Sequence, residues 1–70
     1  MTSMVTFYRS VANVMNIFDQ PESDEWMKLN AAGHMTAAFL DAQGSVQDEK
    51  DAARTFEMTM GYVRRKLGYE

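Results

Sequence analysis

Apolar residues recur at three- and four-residue intervals along almost the whole chain, which is the period of an amphipathic helix. In the first segment Met4, Tyr8, Val11, Met15 and Phe18 form one stripe. Val5, Phe7, Ala12 and Val14 widen it to about half the circumference, and Thr6, Arg9, Asn13 and Asn16 take the other side. In the last segment Ala52, Ala53, Phe56, Met60, Val63 and Leu67 share one arc. Two breaks interrupt the period. The first, residues 19–24, holds Pro21, the capping candidate Ser23 and acidic residues suited to a helix N-terminus. The second is Gly44-Ser45, with Gly44 suited to end one helix and Ser45 to cap the next. Arg64, Arg65 and Lys66 followed by Gly68 make a cationic last turn and a stop. The pattern predicts three helices, over about 3–19, 23–43 and 46–67. With connections this short the fold class is all-α: a small three-helix bundle, a helical hairpin plus a third helix, in one domain over 1–70.

The middle helix breaks the simple amphipathic rule. Trp26, Leu29, Gly33, Ala37 and Leu40 make one apolar face, and Met27, Ala31, Met35, Ala38, Phe39 and Ala42 a second. Asn30, His34 and Asp41 form a narrow polar strip between them. A helix apolar nearly all round needs burial on more than one side, and two neighbours cover only part of it. The second face, through Met27, Met35 and Phe39, is therefore expected to bind another chain. A competing surface is Met58, Tyr62 and Tyr69, on the far side of the third helix from its core arc, where methionine and tyrosine suit recognition.

Length makes that surplus matter. For 70 residues and 8.0 kDa, surface scaling predicts about 4,450 Å² exposed of roughly 11,600 Å² unfolded. If ~60% of the difference is apolar, its burial contributes on the order of 105 kcal/mol at ~25 cal/mol per Å². Ordering the chain at ~1.5 kcal/mol per residue costs about the same. With Cys 0, neither a disulfide nor a cysteine metal site can staple the fold. The expectation is a bundle completed as a homodimer.

Catalysis finds little to work with. His34 is the lone histidine, and Asp41, two turns away on the same strip, cannot reach it within one helix. His34 reads instead as a satisfied polar group or a pH-sensitive interface residue. The acidic stretch 41–51 misses the calcium-loop template: from Asp41, position six is Val46 and position twelve Ala52, where the template wants glycine and glutamate. No metal and no cofactor is expected. A helix-turn-helix at Gly44 would present Val46, Gln47, Asp48 and Glu49 to a phosphate-lined groove, which repels carboxylates. The net charge of -3 points the same way.

Arg9 alone on the polar side of the first helix argues against a membrane-surface helix, and no apolar run is long enough to span a bilayer. No basic stretch precedes an apolar one at the N-terminus, so the chain reads as soluble and cytoplasmic.

These readings converge on a non-enzymatic protein–protein interaction module. It would be a small regulator or inhibitor of a larger protein machine, phage-like or bacterial, acting through an exposed apolar and aromatic helical face. The alternative is a small dimeric helical regulator associated with nucleic acid, contacting phosphates through Arg64, Arg65 and Lys66. No motif in the chain is specific enough to import residue roles from a known family.

Overall fold

The computed structural model describes residues 2–43 and 49–69. Three helices run over Thr2–Asp19 (α1), Glu25–Ala42 (α2) and Glu49–Leu67 (α3), with no strand among the described residues. This is the all-α three-helix bundle that the periodicity predicts, with α1 packed against both α2 and α3. The Gly44-Ser45 corner and positions 46–48 lie outside the described residues.

Local chemistry explains the helix ends. Pro21 and Glu22 form a turn rather than the first turn of α2. The cap is Asp24, not Ser23: the Met27 N–H donates to Asp24 Oδ1 at 2.8 Å. Ser23 turns inward instead. Its N–H donates to the Gln20 carbonyl at 3.2 Å, and its Oγ is buried without a hydrogen-bond partner among the described residues. At the other end of the molecule Gly68 takes the left-handed conformation (φ 82). The Gly68 N–H then reaches the Arg65 carbonyl at 3.2 Å and the Tyr69 N–H the Arg64 carbonyl at 2.9 Å, closing α3 in a Schellman arrangement.

The core is built from Phe7, Val14 and Phe18 of α1, Ala31, Ala32, Met35 and Ala42 of α2, and Ala52 and Val63 of α3. An aromatic relay joins the three helices. Phe7 meets Phe39 at 5.5 Å between ring centroids, and Phe39 stacks on Phe56 at 4.3 Å with the planes 5° apart.

Two expectations about facing are corrected. On α1 the seam is Met4, Phe7, Val11, Val14 and Phe18, while Tyr8 and Met15 are exposed. The apolar arc is wide enough for either choice; the seam that sets Phe7 against Phe39 is the one that packs. On α2 the faces are exchanged. The face carrying Ala31, Met35, Ala38, Phe39 and Ala42 is the core face. Its small alanines leave room for close packing, while Met35 and Phe39 fill the space between the helices. Met35 is 0% exposed. The face carrying Trp26, Leu29, Gly33, Ala37 and Leu40 is left outside.

Candidate interaction surface

Five residues of α2 define the surface. Trp26, Leu29, Gly33, Ala37 and Leu40 lie on one arc of about 80° at ~100° per residue. The stripe runs about 21 Å along the helix at 1.5 Å per residue. Trp26 is 72% exposed, Leu40 61% and Leu29 46%. Gly33 and Ala37 between them are also exposed, so the stripe is high at its ends and low in its middle. Asn30, His34 and Asp41 are exposed beside it.

The six residues read from sequence as partner-binding fall into different places. Met35 is inside the core and presents nothing to a partner. Phe39 is half-buried, held between Phe7 and Phe56. Tyr62 is half-buried too: its ring lies 5.9 Å from that of Phe18, and Lys66 Nζ sits 5.6 Å above it. Met27 is exposed at the start of α2. Met58 and Tyr69 are exposed on α3, at 68% and 66%, but Tyr62 between them belongs to the edge of the core. The expected α3 stripe is thus two separated side chains. Trp26, Leu29 and Leu40 were visible in the sequence as an apolar face; only their outward direction was missed. The signal that marks it is tryptophan, the bulkiest side chain, opposite a face rich in alanine.

The basic cluster divides. The guanidinium groups of Arg65 and Arg64 fold back over Gly61, where a Cβ would lie 3.3 Å from Arg65 and 3.9 Å from Arg64. Arg64 also lines a groove of about 350 Å³ between α2 and α3, with Thr36, Phe56, Glu57 and Met60. Lys66 goes to Tyr62 instead. Arg64 and Arg65 therefore share one side of α3, Arg64 lining the groove with Glu57, and Lys66 stands on another side over Tyr62.

Among the described residues no group of three or more His, Asp and Glu side chains is placed to hold a metal ion. No helix among them is long and apolar enough to cross a membrane. No protein-family model, curated protein or solved structure matches the chain.

Proposed function

We propose that the chain is a protein-interaction module that works by presenting the outer face of α2, with no chemistry of its own. The observation that carries this reading is Trp26 standing 72% exposed on the same arc as Leu29 and Leu40. Tryptophan is among the residues most enriched at binding hot spots, where near-neutral neighbours serve to exclude water. A contiguous apolar patch on a small protein also favours aggregation unless something covers it. The module reading, including a role as regulator or inhibitor of a larger assembly, puts that contact on the outer face of α2, at Trp26, Leu29 and Leu40, instead of on Met27, Met35 and Phe39 of the same helix. Phosphate binding through Arg64, Arg65 and Lys66 has weaker support, because the three cations do not converge on one side.

The test is affinity purification from the source cell with the parent chain and with a Trp26→Ala/Leu40→Glu variant. A stoichiometric partner, whether foreign or a tagged second copy, recovered by the parent and lost by the variant supports the reading. Equal recovery by both moves binding off α2 and sinks it. Nucleic acid that co-elutes and is released steeply by salt would favour the phosphate reading.

A further inference from the structure

Two guanidinium groups converge on one point of α3. A Cβ at Gly61 would lie 3.3 Å from Arg65 Nη1 and 3.9 Å from Arg64 Nη2. The two nitrogens are therefore within about 7 Å of each other, a span that one oxyanion bridges through two N–H···O bonds of ~2.9 Å. Helical side chains lean towards the N-terminus, which carries residues 64 and 65 back over position 61. Gly61 stands about 160° around the helix from the core residue Val63, at ~100° per residue, yet it is buried, beneath these two heads. Glycine is costly inside a helix. Here it leaves the space that a Cβ would take from the Arg65 guanidinium.

Cations in a last turn commonly serve the terminal carbonyls. In α3 the carbonyls of Arg65 and Arg64 accept instead from the Gly68 and Tyr69 N–H groups, and both guanidinium groups sit one turn back. Each carries five donors in a planar fork, so a contact with a neighbour leaves others for a ligand.

Arg64 belongs to this pair and also to the groove of about 350 Å³ between α2 and α3. Small-molecule sites begin at roughly this volume. Half-buried Phe56 and Met60 supply the apolar wall, and Thr36 Oγ1 is fixed by donating to the Ala32 carbonyl at 2.9 Å. Glu57 lines the same groove and repels a second negative charge. A phosphate monoester carries about −1.5 to −2 at pH 7, a carboxylate only one charge. The fitting ligand has a single negative charge on an apolar body.

We propose that this end of the α2–α3 groove binds a small monocarboxylate, its carboxylate held between Arg64 and Arg65 over Gly61 and its apolar body against Phe56 and Met60. Trp26, Leu29 and Leu40 do not line the groove, so the site stands or falls independently of the interaction reading.

The probe is octanoate, titrated at pH 7 into the nitrogen-15-labelled chain and followed by NMR. Saturable shifts are expected at the Arg64 and Arg65 Nε–H and at the Phe56 and Met60 amides, with a Kd of about 1 mM for a ligand of ten non-hydrogen atoms. Octanol, with the same body and no charge, should bind at least about tenfold more weakly. The Arg64→Gln/Arg65→Gln variant should lose about tenfold or more in octanoate affinity, with helical content unchanged because both side chains are exposed. Glu57→Gln should tighten binding about twofold at low salt, a gain that a merely structural glutamate would not give. Four results overturn the proposal. One is the absence of saturable shifts up to about 10 mM. Another is shifts confined to Trp26, Leu29 and Leu40, which would put the probe on the outer face of α2. The third is equal affinity in the double arginine variant. The last is octyl phosphate binding about tenfold more tightly than octanoate, which would make the arginine pair a phosphate site.

Discussion

The two faces of α2 are nearly equal in apolar character and opposite in fate. The inner face is made of alanines around Met35, with Phe39 at its edge, and it closes onto Phe7 and Phe56. The outer face has the larger side chains, Trp26, Leu29 and Leu40, and all three are exposed and outside the core. Hydrophobicity alone does not choose between them. Shape does: small side chains permit the close approach that a dense core needs, and a tryptophan in the same seam would hold the helices apart.

Substitutions that treat the faces differently test this directly. The largest effect is expected from Met35→Ala, which opens a cavity in the fully buried centre. It should destabilise by about 2–5 kcal/mol. At roughly 4–8 °C per kcal/mol a thermal melt should fall by tens of degrees, or folding should fail. A drop of only a few degrees would mean that Met35 is not the centre of the core. Asp24→Ala removes the cap of α2, a helix whose buried side chains begin only at Ala31, beyond its first turn. A loss of about 1 kcal/mol is expected, with amide exchange faster at Met27, whose N–H the carboxylate accepts, and unchanged at Met35.

Gly33→Ala acts on the outer face alone. It should raise stability by about 0.5–1 kcal/mol, since among the described residues no atom lies within 4 Å of the new methyl. A thermal melt that fell instead would mean that the methyl meets a neighbour on the outer face. The smallest effect is expected from Leu40→Ala in the monomeric regime, within about 0.5 kcal/mol. Set beside Met35→Ala, it measures how unequal the two faces are; equal losses would erase the distinction.

The helices themselves were legible in the sequence because their signals are local. The periodic apolar positions, the break at residues 19–24 and the Gly68 stop each act within a turn or two. So did the surplus on α2, which follows from counting apolar positions around one helix. Facing was harder. On α1, Tyr8 and Phe7 are both within the apolar arc, and only the presence of Phe39 on another helix decides that Phe7 goes in. On α2 the same non-local choice moved Met35 from the expected surface to the core and left Trp26 outside. Ser23 and Asp24 are adjacent capping residues of similar propensity, and the turn at Pro21 decides between them by carrying Ser23 inward. The pairing of side chains across helices is a property of three elements at once, and no single stripe encodes it.

Trp26 has a practical consequence for anyone who follows this chain by light. It is the one tryptophan, and in the folded monomer it is already largely in water. Its emission should therefore change little when the helices melt, and a fluorescence unfolding curve would understate the transition that circular dichroism records. Contact with another molecule at α2 should instead shift the emission to the blue, so the native fluorophore is a poor thermometer for this fold and a good detector of company.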